Sequence, residues 1–393
     1  MKKTLTGLAR RSHWLKEECK MKIPVYKPLL GEEEIEYVVS AISRGEISGL
    51  YGEYIGKFEE EFSHYVGCSY GIAVSSGTAA LHLALASLGI KQKDEIVVSS
   101  FTNMATFFAV LYQYAKPLPI DIEPDTWNIN SALIEEKISE RTKAILVAHI
   151  YGHPVDMDPV LKIAKKYGLY VIEDCAEAHG ATYKGKKVGS LGDVGCFSFY
   201  ANKIITTGEG GMLTTNNSEI ADKARTLKSL AFGANNKFMH QDIGFNYRMT
   251  NIQAAIGCAQ LKKIDKIIEK KRHIAHYYTE NLKDVLGLQL PVEKSYAKNV
   301  YWMYHVVVHS ENFGFTRDLL MEKLKDHGIE TREAFIPYNL QKIFIQKGWV
   351  KGNECPVANY IARNGFYLPS SPLLKEKELK YIVNKIKDIK KDH

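Results

Sequence analysis

Between about residues 70 and 215 the chain alternates helix-period and strand-period runs, and this alternation restricts the fold more than any other feature. GTAALHLALASLG reads as a helix opening on a Gly-Thr turn. EIVVSS, PLPIDI, AILVAHIYG and LYVIEDC read as short buried strands. Residues 105–114 have helical apolar spacing, and DPVLKIAKKYG reads as a helix closed by Gly168. CFSFY and GMLTT add two β runs. Strands interleaved with helices form a mostly parallel sheet covered by helices, so the expected class is α/β. Ligands of such sheets bind at the carboxyl ends of the strands. Residues 250–285 read as one long helix. Beyond them YWMYHVVV, the helix RDLLMEKLKDHG and a closing helix from about 375 suggest a smaller α+β unit. The expected division is an N-terminal extension (1–20), a large domain (21–285) and a small C-terminal domain (286–393).

The bulk numbers exclude several classes. With 45% apolar and 25% charged residues the chain is neither disordered nor a membrane bundle, and it has no run of about 18 apolar residues. The net charge of +7 is small for 393 residues and dispersed, so nucleic acid is not an expected partner. A basic C-terminal tail (Lys385, Lys387, Lys390, Lys391) reads as a solvated helix end. None of the six cysteines forms a CxxC pair, which fits small core residues in a reducing cytoplasm.

Three polar residues stand at or beyond strand ends. Asp174 follows LYVI, Glu177 lies one turn further, and Lys203 follows CFSFY and precedes TTGEGG. Pyridoxal 5'-phosphate (PLP) chemistry requires a lysine amine for the aldehyde, a carboxylate for the pyridine nitrogen, and amides and hydroxyls for the phosphate. Lys203 and Asp174 suit the first two tasks. Ser75-Ser76-Gly77-Thr78 at a helix start, with Ser198, suits the third. Singly each has a plainer reading as a cap, a loop charge or a surface carboxylate; their order carries the argument. Rival motifs fail. GATYKGKK puts Lys187 where a phosphate-binding loop needs Ser or Thr, GEGG lacks dinucleotide-fold spacing, and the histidines show no metal-ligand pattern.

The block VIEDCAEAHGATYKGKKVGSLGDVGCFSFYANKIITTGEGGM resembles the core of the DegT/DnrJ/EryC1/StrS family of sugar aminotransferases. GFNYRMTNIQAAIG (244–257) matches its second signature, and SSGTAALHLAL, HIYGHPVDMDP, GIETREAFIP and YLPSSPLL follow in family order. The resemblance implies PLP as cofactor, the fold type I architecture, and a homodimer with a shared active site. Its implied roles are Lys203 as the PLP-linked lysine and proton shuttle, Asp174 at the pyridine nitrogen, and Glu177 at the phenolic oxygen. Gly77, Thr78 and Ser198 would hold the phosphate, and Asn246 would reach a neighbouring subunit's phosphate. A lysine rather than a histidine at 203 implies transamination rather than the family's 3-dehydration. L-glutamate would donate the amine to a nucleotide-linked keto-sugar. NKIITTGEGGM and GFNYRMTNIQAAIG are most similar to the branch acting on GDP-4-keto-6-deoxymannose, which implies a role in O-antigen or another surface glycan. An alternative within the family is a dTDP- or UDP-linked 3- or 4-keto sugar, or a keto-cyclitol. The chain departs at Asn103, where the family places an aromatic residue over the PLP ring. Either Asn103 covers the ring, or Phe101 or Met104 does so. AFGANNKFMH (231–240) also departs from the branch pattern and is a candidate part of the sugar pocket. Arg332 is a nucleotide-binding candidate by charge, as is Arg248; a surface ion pair is the plainer reading of each.

Overall fold

The computed structural model describes residues 22–233, 236–240 and 242–391; the expected extension 1–20 lies outside them. The β-rich runs become seven strands of one sheet: β1 (Tyr70–Val74), β2 (Glu95–Ser99), β3 (Lys116–Ile120), β4 (Thr142–Ala148), β5 (Tyr170–Asp174), β6 (Val194–Ser198) and β7 (Gly211–Thr215). Their order is β1-β7-β6-β5-β4-β2-β3. Pairing is parallel from β3 through β6, and β7 runs antiparallel to both its neighbours. Both faces are covered, which is why these strands read as continuous apolar runs. Successive residues enter opposite cores: Ile72 and Val74 pack with helices α3 (Gly77–Ser87), α4 (Met104–Tyr112) and α6 (Ser218–Lys228), while Ala73 packs with α2 (Glu53–Val66) and α7 (Asn251–Leu261). Helix α5 (Met157–Tyr167) ends at Gly168, whose φ of 64° is the left-handed conformation that a C-terminal glycine supplies.

One expectation is corrected. Residues 250–285 are not one helix but α7 followed by α8 (Ile264–Leu282). The break falls at Lys262 and Lys263, which pair with Glu33 and Glu34 of α1 (Glu32–Ser43). The break coincides with these tertiary pairings, and no glycine or proline between 258 and 282 announces it. The run GATYKGKK is no phosphate-binding loop: 182–187 forms a tight hairpin, and no helix starts there.

The C-terminal part carries a four-stranded antiparallel sheet of Leu288–Gln289, Tyr304–Val308, Gly365–Leu368 and Arg332–Glu333. It packs on α8 and on the helices Arg317–Asp326 and Glu376–Lys391. Two joints fix it to the large sheet. Asp121, just past β3, accepts the N–H groups of Val357 and Ala358 at 3.0 and 2.9 Å. It thereby caps the helix Pro356–Asn364, which has no cap of its own from Cys355. Nearby, Tyr338 N–H donates to Ser100 O at 3.1 Å, and its ring stacks on Phe107 at 4.2 Å.

Candidate active site

A cavity of about 340 Å³ opens at the carboxyl ends of β4, β5 and β6, against the first turn of α3. It is lined by Ser76, Gly77, Thr78, Asp174, Glu177, Ser198 and Lys203, so residues scattered over more than a hundred positions of sequence meet there.

Asp174 is the last residue of β5 and is buried. Its Oδ2 accepts the Thr106 hydroxyl at 2.8 Å and its Oδ1 the Ala176 N–H at 3.1 Å. Burial pushes its pKa up, and these two donors pull it back. Thr106 is itself in contact with Thr102, with 3.1 Å between hydroxyls. Sequence reasoning passed over this pair; the signal was T-N-M-A-T, two threonines four residues apart at a helix start.

Glu177 Oε2 accepts the Tyr151 N–H at 2.7 Å. Tyr151 has φ 52°, a left-handed conformation costly for an aromatic residue, and such strain persists where the surroundings enforce it. Burial raises the Glu177 pKa to about 7, against the opposing pull of Lys203 and of the Tyr151 N–H. The folded value lies above the ordinary carboxyl value. The protonated group therefore contributes stability at low pH, and that contribution is lost as pH rises towards 7. We expect Glu177→Gln, which stays neutral, to melt higher than the parent in PLP-free protein at pH 8, with the gap narrowing towards pH 5. Equal melting differences at both pH values would remove this account.

Lys203 is buried with its Nζ 3.8 Å from the centre of the Trp302 ring. Burial lowers its pKa, and the nearby Glu177 and Asp174 raise it. The chain around it is pinned at two successive carbonyls: Trp302 Nε1–H donates to Asn202 O at 2.6 Å, and Tyr26 OH to Lys203 O at 2.7 Å.

The phosphate-sized end is built by missing side chains. A Cβ on Gly77 would lie 2.6 Å from Ser198 Cβ, and one on Gly211 would lie 2.3 Å from Ser76 O. Ser76 caps α3 by accepting the Ala79 N–H at 3.1 Å. The amides of Gly77 and Thr78 fall in the first turn, where a helix offers no acceptor and its dipole favours an anion.

Of the three ring-covering candidates only Asn103 stands in the cavity wall, and its side-chain oxygen caps α4 through the Ala105 N–H at 3.0 Å. Phe101 is fully buried against Tyr151, His305 and Phe335, and Met104 is half-buried against the core. Another wall residue is one that sequence reasoning missed. His149 Nδ1 accepts the Val155 N–H at 3.0 Å, which leaves Nε2–H to donate to Glu173 at 3.1 Å. Glu173 also takes the N–H groups of Gly189, Leu191 and Gly192. His149, Glu173 and Cys175 lie close enough to suggest a metal site, but both ring nitrogens and both carboxylate oxygens are already engaged by the protein.

Arg332 reaches the wall from the small sheet beside Phe335, interacts with the Tyr367 hydroxyl, and lies 3.9 Å from Glu330. Arg248 instead donates to Ser229 Oγ at 3.1 Å, away from the cavity. Asn246 is exposed, paired with Ser229, and does not line the cavity of its own chain. Segment 231–240 is described in part; its Phe238 and Met239 are exposed and outside the cavity wall.

The profile of the DegT/DnrJ/EryC1/StrS aminotransferase family matches residues 28–387. The chain belongs to this family. It is a PLP-dependent sugar aminotransferase with the α/β fold of its relatives. A GDP-perosamine synthase of Escherichia coli O157:H7 is 40% identical over 94% of this chain and 99% of its own. A dTDP-3-amino-3,6-dideoxy-alpha-D-galactopyranose transaminase of Aneurinibacillus thermoaerophilus is 36% identical over 89% of this chain and 94% of its own. The PLP form of a putative sugar aminotransferase, Spr1654 of Streptococcus pneumoniae, superposes with a TM-score of 0.89 at 25% identity, covering 95% of this chain and 99% of that one. The cavity fits the family's cofactor: it offers a buried lysine, a buried carboxylate beyond a strand end, and a glycine-built helix start.

Proposed function

We propose that this aminotransferase moves the amino group of L-glutamate to C4 of GDP-4-keto-6-deoxymannose, giving GDP-perosamine. The observation carrying the chemistry is that Lys203 and Asp174 face one cavity at the strand ends, beside an anion-ready helix terminus. The choice of sugar rests on the 40% identity to the GDP-perosamine synthase. PLP, when bound, would supply an aldehyde for the donor's amine and a ring able to stabilise negative charge at the reacting carbon. Lys203 would hold the cofactor's aldehyde end, and its amine, when free, would carry the proton. Burial favours the neutral amine that this task needs. Asp174, fixed by Thr106 and the Ala176 amide, keeps the pyridine nitrogen protonated. Glu177 faces the phenolic oxygen, and Gly77, Thr78 and Ser198 hold the phosphate. Asn103 borders the ring, and Arg332 faces the nucleotide from the small sheet.

The active unit we infer is a homodimer. Asn246 lies outside its own cavity and is free to serve a second one, and α1 presents exposed Ile35, Val39 and Ile42. Among the described residues no helix is long and apolar enough to cross a membrane, and the five described cysteines are free and buried, which suits the reducing cytoplasm. O-antigen synthesis is the setting that this product implies.

The 36% identity to a dTDP-sugar transaminase supports a second reading, a dTDP- or UDP-linked 3- or 4-keto sugar or a keto-cyclitol. The deciding experiment offers GDP-, dTDP- and UDP-linked keto-sugars with L-glutamate and weighs the products by mass. We expect kcat/KM for GDP-4-keto-6-deoxymannose to exceed the others by about tenfold or more. A dTDP or UDP sugar turned over faster would replace the first reading with the second.

A further inference from the structure

The most deeply buried lysine beside the site is not Lys203 but Lys271, on α8, 1% exposed and outside the cavity wall. Its Nζ donates to Trp302 O at 2.6 Å and to Ser370 O at 2.5 Å, and lies 5.3 Å from the centre of the Tyr26 ring. No carboxylate pairs with it among the described residues. Burying an unpaired lysine is costly, so its persistence at this place calls for a local reason.

Tyr26 and Trp302 are the same two side chains that grip the carbonyls of Asn202 and Lys203, and the Trp302 ring also covers Lys203 Nζ. Lys271 is thus the common anchor of both grips: one link runs through the Trp302 backbone to its ring, the other through the Tyr26 ring to its hydroxyl. Resting on the reading of Lys203 as the PLP lysine, we propose that Lys271 is a positioning residue that holds Trp302 and Tyr26 against Lys203 and so sets where its amine sits. Burial brings the Lys271 pKa down to about 7. The Trp302 grip, which the test below reads, does not depend on that titration, because the neutral amine still has two N–H donors for the Trp302 and Ser370 carbonyls.

A residue that merely fills the core would change melting temperature and leave the electronic surroundings of Lys203 alone. The test therefore reads the pH midpoint of the visible absorbance band of the PLP-loaded full chain without amino donor, alongside its melting temperature. With Lys271→Met the Trp302 ring loses its register over the cationic nitrogen, and the midpoint should fall by about half a unit to one unit. Trp302→Leu should lower it too, and the double variant should move it by less than the sum. An unmoved or raised midpoint, or additive shifts, would overturn the proposal. If Lys271→Met does not fold, Lys271→Gln, which keeps a donor but shortens its reach, is read by the same criterion. Lys203→Ala separates the two ideas: should that variant keep the pH-dependent band, it is the reading of Lys203 that fails.

Discussion

Replacing Lys203 by alanine should abolish turnover, with a loss of about 10⁴-fold or more, and should remove the visible band of the PLP-loaded protein. Two functions would disappear together, since the same amine is proposed to hold the cofactor and carry the proton. Space is not the issue: the vacated volume lies beneath Trp302, whose own indole N–H remains tied to Asn202 O. The fold should survive, because among the described residues Lys203 makes no ion pair whose loss leaves a partner stranded within bonding distance. Melting curves and kinetics on one preparation check this. A Lys203→Ala protein with near-parental transamination would remove Lys203 from the mechanism.

Asp174→Asn should cost about 10²- to 10³-fold in kcat with KM for L-glutamate little changed. An amide is nearly the same size, and its oxygen can still accept from Thr106 or from the Ala176 amide, so packing is kept. Its charge is gone, and a neutral neighbour cannot hold a proton on the pyridine nitrogen inside a buried cavity. The loss should therefore appear in the chemical step rather than in binding. A variant with KM raised tenfold and kcat intact would instead mark Asp174 as a binding residue only.

How much of this was legible beforehand depends on the range of the interactions involved. The helix ending at Gly168 and the strand ending at Asp174 are written locally, in a glycine that tolerates φ 64° and in a β-rich run, and both appear where the pattern puts them. The helix break at Lys262 and Lys263 is not local. It accompanies contacts with Glu33 and Glu34, more than two hundred residues away, in a stretch with no residue that disfavours helix. The site divides the same way. Lys203, Asp174 and Ser76-Gly77-Thr78 belong to dense motifs. Thr106 and His149 act through one bond each to a motif residue or its neighbour, and nothing in their immediate sequence says which carboxylate they will meet. Tyr26, Trp302 and Lys271 come from three separate stretches and become neighbours of Lys203 only once the C-terminal part has folded back. Asn246 was legible as a motif residue, yet its placement outside its own cavity could not be read from one dimension.

The carboxylate of Asp121 has a consequence for selectivity. It stands just past the edge strand β3 and fastens the first turn of a helix that leads directly into the strand Gly365–Leu368. That strand carries Tyr367 and pairs with the one carrying Arg332, so the wall proposed to face the sugar nucleotide is fastened to the large sheet. A cavity assembled this way behaves as a mould rather than a jaw. On the proposed reading it would choose its sugar by the shape it already has, and a change of substrate would have to be cut into the wall residues themselves.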